Sequence, residues 1–203
     1  MLVNASRLIR FPVLSLHIGA PTGFVREVIV NPKKLQIVGF FVQGPLIGQE
    51  TGDILQTEAI REFSYAGMII DSIDTLTSEG EVVKLDKVLE TKFRVDGLKV
   101  VTKKGTKLGK VIDYTVDTTD FRIMQIIVQR PTLKALIDPE LVISRREIVE
   151  IDNEKIVVKD EEDKIRKRAL KEDFVPNFVN PFREPSYSKS SSDVSKTRDF
   201  TNS

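Results

Sequence analysis

The sequence predicts an all-β protein made of two tandem small β-barrels, a short linker able to form a short helix, and a largely disordered C-terminal tail. Three observations lead there. Gly19, Gly23, Val25, Val30, Ile37, Val42, Gln43 and Pro45 recur 86 residues later as Gly105, Gly109, Val111, Val116, Ile123, Val128, Gln129 and Pro131. The repeated stretches are β-branched and aromatic runs joined by short polar turns, the pattern of β-hairpins. After Asp160 that pattern stops, and the composition shifts to charge and then to Pro, Ser and Asn.

In the first copy, Gly23 opens the run Phe24–Val30. Asn31-Pro32-Lys33-Lys34 makes the turn, and Leu35–Val42 forms the return strand. In the second copy, Val111–Val116, Asp117-Thr118-Thr119-Asp120 and Phe121–Val128 repeat the arrangement. Apolar residues on both faces of these runs suit strands curled into a small barrel with a covered outer face. A weaker pairing follows at an offset of 88, matching Ile60, Phe63, Ile69 and Ile70 with Ile148, Ile151, Val157 and Val158. The change of offset places a two-residue insertion between Pro131 and Ile148, where a loop tolerates it. Asp138–Ile143 is expected to include a short strand, and each copy closes in a hairpin-like piece, Phe63–Gly67 or Ile151–Lys155.

The expected organisation is therefore a first module over 1–76, a linker over 77–92, a second module over 93–160, and a charged segment with a flexible tail over 161–203. Leu85, Val88 and Leu89 have the spacing of a helical stripe, expected to dock on the second module.

The second copy opens with Gly97-Leu98-Lys99-Val100-Val101-Thr102, then Gly105-Thr106-Lys107-Leu108-Gly109-Lys110-Val111-Ile112-Asp113, then the hairpin to Val128. On these residues the repeat unit resembles the PRC-barrel family. In the first copy, Gly19-Ala20-Pro21-Thr22-Gly23-Phe24-Val25-Arg26-Glu27 keeps both glycines and the valine, with Glu27 in place of the aspartate. The family includes the cytoplasmic domain of the photosynthetic reaction-centre H subunit and the C-terminal domain of a ribosome maturation factor. The resemblance implies a small β-barrel used as a binding platform, and brings no catalytic residues.

Composition narrows the chemistry. The formal charge is +1, so the chain as a whole has no electrostatic footprint for nucleic acid or an anionic membrane. Cysteine is absent, which removes disulfides, thiolate nucleophiles and zinc–thiolate sites and suits a reducing cytoplasm. The only histidine, His17, rules out a multi-histidine metal site and is expected on a strand. Arg7 and Arg10 before Phe11–Leu16 imitate a signal peptide, but Pro12 interrupts the run and it belongs to the repeat, so it is read as mature protein. No stretch approaches the roughly 20 apolar residues of a membrane span.

Glu27 and Asp113 occupy equivalent places and are expected to accept hydrogen bonds from adjacent turns. The alternative is a carboxylate pair for acid–base work. The glycines precede strands, with no helix N-terminus or Walker lysine, and are expected in tight turns. No catalytic, metal or cofactor residue is expected.

The copies disagree in one informative place. The second has Lys103-Lys104-Gly105-Thr106-Lys107-Leu108-Gly109-Lys110, whereas the first has His17-Ile18-Gly19-Ala20-Pro21-Thr22-Gly23-Phe24. One module is thus expected to present a basic rim of Lys103, Lys104, Lys107 and Lys110, extended by Lys99, Arg145 and Arg146. The other rim is neutral. In the tail, Phe174, Phe178 and Phe182 form a candidate docking segment, expected to fold back across a barrel, with docking on a partner as the alternative. The expected function is a non-catalytic, protein-binding adaptor in the cytoplasm. The alternatives are a ribosome-maturation or RNA-associated factor, and a peripheral photosynthetic or electron-transport accessory.

Overall fold

The computed structural model describes residues 1–48, 52–131 and 139–160, all within one unit, Met1–Lys164. The chain opens with β1 (Leu2–Asn4) and a 3-10 turn at Ala5–Arg7. It continues through β2 (Pro12–Ser15), β3 (Ala20–Asn31), β4 (Gln36–Gln43), β5 (Ile54–Gln56), β6 (Glu62–Phe63) and β7 (Met68–Ile70). Helix α1 (Val83–Leu89) leads to β8 (Lys99–Thr102), β9 (Lys107–Asp117), β10 (Ile123–Gln129), β11 (Glu140–Ser144), β12 (Ile148–Ile151) and β13 (Lys155–Val158).

Two sheets result, and their strand orders correspond. The first runs β5-β4-β3-β2-β7-β6, the second β11-β10-β9-β8-β13-β12. Each contains one parallel pair, β2 with β7 and β8 with β13, and is otherwise antiparallel. Residues 86 apart take equivalent places: Val30 pairs with Ile37 as Val116 pairs with Ile123. Barrel closure is where the architecture departs from expectation. Among the described residues each ladder is an open path, and no pairing joins its two end strands. A 3-10 turn, Thr57–Ala59 or Arg145–Glu147, carries the chain from one end strand to the other. Bulges in β3 and β9 supply the curl.

The glycines explain why the motif repeats. Gly19 and Gly105 are turn residues with φ of 69° and 82° and open space around them. Gly23 and Gly109 instead lie inside β3 and β9 rather than opening them. A Cβ on Gly23 would sit 2.6 Å from the Gln43 carbonyl oxygen, and one on Gly109 1.9 Å from that of Gln129. The conserved spacing from glycine to Gln thus marks a close backbone approach between neighbouring strands.

The sheets meet at their hairpin tips, in near-twofold fashion. Leu35 and Phe121, 86 residues apart, both adopt left-handed backbone, with φ of 47° and 56°. Ile37 N–H donates to the Phe121 carbonyl, and Ile123 N–H donates to the Leu35 carbonyl. Phe121 packs edge-on against Phe40 (5.7 Å) and Phe63 (6.2 Å), and Phe63 stacks on Phe11 (4.9 Å). One apolar core therefore runs through both sheets, from Val13, Ile37 and Phe40 to Val116, Ile126 and Ile156.

Two elements take a different side from the one expected. β1 lies in the 1–76 segment but pairs with β9 of the second sheet. Helix α1 forms where the stripe predicts it. Its buried Leu85, however, packs with Ile29 and Ile54 of the first sheet, flanked by Val38 and Phe41, not on the second module. Burying that leucine contributes about 2 kcal/mol. His17 is exposed in the turn between β2 and β3, not on a strand, and its N–H donates to the Asp71 carbonyl. Phe174, Phe178 and Phe182 lie outside the described residues, as does the rest of the 161–203 segment.

Candidate binding site

The predicted basic residues divide into three groups. Lys103 and Lys104 sit on the turn after β8, next to Gly105, where Lys103 N–H donates to the Val158 carbonyl. Lys107 and Lys110 lie on β9. Arg145 does not join a rim. Its guanidinium donates to the carbonyls of Leu35 (2.6 Å), Ile123 (3.3 Å) and Lys34. It clamps the first hairpin tip onto the second sheet. Burial, then the neighbouring Arg122, lower its pKa from the usual arginine value, though an arginine stays charged. Arg146 is exposed next to it, its carbonyl taken by the Lys159 ammonium.

Strand register assembles a feature that local sequence conceals. Lys155 on β13 lies opposite Lys99 on β8, and Lys99 lies opposite Lys110 on β9. Opposite residues share a face of the sheet. Two residues along β8, Val101 lies opposite Lys107, because a bulge at Leu108 takes up the odd residue. Val100, Thr102, Ile156 and Val158 fill the inner face. The outer face therefore carries Lys155, Lys99, Lys110 and Lys107, all exposed, around Val101 and Val157. Beside β9 the face dips into a groove of about 450 Å³, lined by Lys99, Val101, Lys107, Lys110, Gln129 and Arg130.

Among the described residues no ion pair joins any of these four lysines. Like charges directly opposite one another cost a few tenths of a kcal/mol or more per pair. Lys99 and Lys110 were visible in the sequence. Lys155 was missed, because only the parallel β8–β13 pairing brings it there. The equivalent places on the first sheet are Gly67, Pro12, Phe24 and Pro21, a neutral and more apolar surface.

Glu27 and Asp113 do accept hydrogen bonds, chiefly from chain segments of the opposite half rather than from adjacent turns; Asp113 also takes the N–H of its neighbour Tyr114 (2.8 Å). Asp113 takes the Ser6 hydroxyl (2.7 Å) and Ser6 N–H (3.1 Å) from the segment that leads into the first sheet. Glu27 takes Arg94 (2.5 Å), from the segment that leads into the second. Both acids line one cavity of about 320 Å³ with Asp96 and Tyr114. Desolvation, then the Asp113 charge, hold the Asp96 carboxyl above the usual range, with Arg94 acting against them. Burial, then the charges of Asp96 and Asp113, push the Tyr114 phenol up. Removing the clasp should be measurable. Asp113→Ala is expected to lower stability by about 1 kcal/mol in urea titration. Glu27→Gln, whose partner is more exposed, should cost less.

Asp117 and Asp152 are held below the ordinary carboxylate value. The chief causes are the N–H of Thr119 for Asp117 and those of Glu154 and Lys155 for Asp152. Their stabilisation is complete above the unfolded carboxylate value and is lost as pH falls through their lowered ones.

The fold and face define a small, mostly β domain with one short helix and an open, charged sheet surface. Residues 93–165 match the sequence profile of the PRC-barrel domain. The matched stretch contains β8 to β13 and with them the lysine row. No curated protein matches the chain. Among the described residues no group of three or more His, Asp and Glu side chains has metal-binding geometry, and no helix is long and apolar enough to cross a membrane.

Proposed function

We propose that this protein is a non-catalytic adaptor whose second sheet binds an acidic protein surface across the Lys155–Lys99–Lys110 row. One observation carries the reading. Three lysines stand directly opposite one another on three adjacent strands, with Lys107 beside them; among the described residues no salt bridge joins any of the four, and Asp152 acts on Lys155 only at longer range. Such a row opposes folding, and an anionic partner would relieve it. The interleaved residues are Val101 and Val157 rather than aromatics. That favours a protein segment over nucleic-acid bases, which stack on aromatic side chains.

In this reading the first sheet is a diverged copy of the PRC-type module. Its shared strand order and its Gly23–Gln43 contact support this. Its neutral surface serves a different contact from that of the second. A chain without cysteine suits the cytoplasm.

Affinity purification followed by mass spectrometry should recover a partner with an acidic segment from native protein and lose it from Lys99→Glu/Lys110→Glu. Salt should weaken the native complex. Loss of a ribosomal subunit from the charge-reversed protein, abolished by nuclease, would instead support the RNA-associated alternative. Equal recovery of every partner by both proteins removes the lysine row from the account.

A further inference from the structure

In the second sheet, β9 outruns its neighbour β8. β8 covers Lys107–Lys110, and the free edge beyond it is filled by β1, paired as Leu2 with Asp117, Val3 with Val116 and Asn4 with Thr115. In the first sheet, β3 outruns β2 in the same way, since β2 covers only Ala20–Phe24. The positions equivalent to Thr115–Asp117 are Ile29, Val30 and Asn31. They pair with β4 on one side. On the other side no strand lies among the described residues. A groove of about 630 Å³ runs there instead, between Val28–Val30 and the Val88–Glu90 end of α1.

The ladder geometry shows which backbone groups face this groove. Asp117 N–H donates to the Arg122 carbonyl on the β10 side. Its neighbour Val116 therefore turns its N–H towards β1, because the groups alternate along a strand. Asn31 stands opposite Gln36 as Asp117 stands next to Arg122, so Val30 presents its N–H to the groove. An unpaired strand edge is a template for a further strand.

We propose that this groove is a strand-binding slot, in which an extended basic segment of a partner protein adds to the β3 edge as β1 adds to β9. Charge selects the occupant. Glu79, Asp86 and Glu90 line the groove against Lys92 alone, while the charges of Glu27 and Arg94 answer each other in their ion pair. Backbone pairing supplies the affinity, and the acidic wall supplies the preference. The slot is separate from the lysine row, so the two surfaces select partners of opposite charge.

The test uses the full chain and a short synthetic peptide of alternating lysine and valine, with the glutamate–valine peptide as control. Amide hydrogen exchange is read at Val28–Asn31 and binding by fluorescence anisotropy. The lysine peptide is expected to slow exchange at Val30 and to bind more tightly than the glutamate peptide. Glu79→Lys/Glu90→Lys changes two exposed side chains outside every ladder and should weaken it about tenfold or more, whereas Lys99→Glu/Lys110→Glu should not weaken it. Three results overturn the proposal: protection of Val30 before any peptide is added, equal binding of the glutamate peptide, or binding that leaves Val28–Asn31 exchange unchanged.

Discussion

Gly109→Ala should be the most damaging single-methyl substitution in this chain, costing more than about 3 kcal/mol or unfolding the second sheet outright. Two penalties coincide there. The φ of 146° is one that L residues rarely adopt. The new Cβ would also lie 1.9 Å from the Gln129 carbonyl oxygen, a backbone atom of the paired strand that cannot swing aside. β9 and β10 would have to separate where Lys110 pairs with Gln129, next to the lysine row. Gly105→Ala is the internal control. Its φ of 82° is also unfavourable, but nothing lies near the added methyl, so about 1 kcal/mol is expected. Gly23→Ala, with a 2.6 Å approach, should fall between them. Urea titration of the three variants checks the order. Equal effects at Gly105 and Gly109 would mean that backbone conformation, not strand approach, fixes the motif.

Arg145→Met should be the second-largest effect, about 2–3 kcal/mol. The arginine donates to three carbonyls drawn from two hairpins, those of Lys34, Leu35 and Ile123, and shares the Leu35 carbonyl with the Ile123 N–H. Leu35 is also the residue whose left-handed backbone lets the tips exchange hydrogen bonds. Methionine keeps the stem's packing and removes the fork, so the loss reports the hydrogen bonds rather than a cavity. Lysine should not restore it, because one ammonium cannot reproduce the planar fork across these acceptors. The unfolding curves of Arg145→Met and Arg145→Lys test this. A lysine variant as stable as the native protein would reduce Arg145 to a simple surface charge.

Much of the fold was legible because its signals are local. Gly, β-branched runs and Asn31 or Asp117 turns sit within a hairpin, and the 86-residue offset made each reading twice. What stayed hidden depends on partners far along the chain. The Leu85 stripe revealed a helix, but periodicity does not say which sheet it will meet. Three residues, Leu2–Asn4, are too few to announce a strand that joins the other half. Arg145 looked like one more cation beside Arg146, since two of its three acceptors lie 110 and 111 residues away. Lys155 could not be joined to Lys99 without the parallel register that aligns them. The sequence difference between the copies lies around one turn, whereas the lysine face runs across strands.

The most direct measurement is a map of backbone amide shifts in the full chain on titration with an acidic peptide. The account predicts perturbations centred on Lys99, Val101, Lys107, Lys110 and Lys155, weakened by salt and absent in Lys99→Glu/Lys110→Glu. A footprint on Phe24 and Gly67 of the first sheet, or none on either sheet, would contradict it.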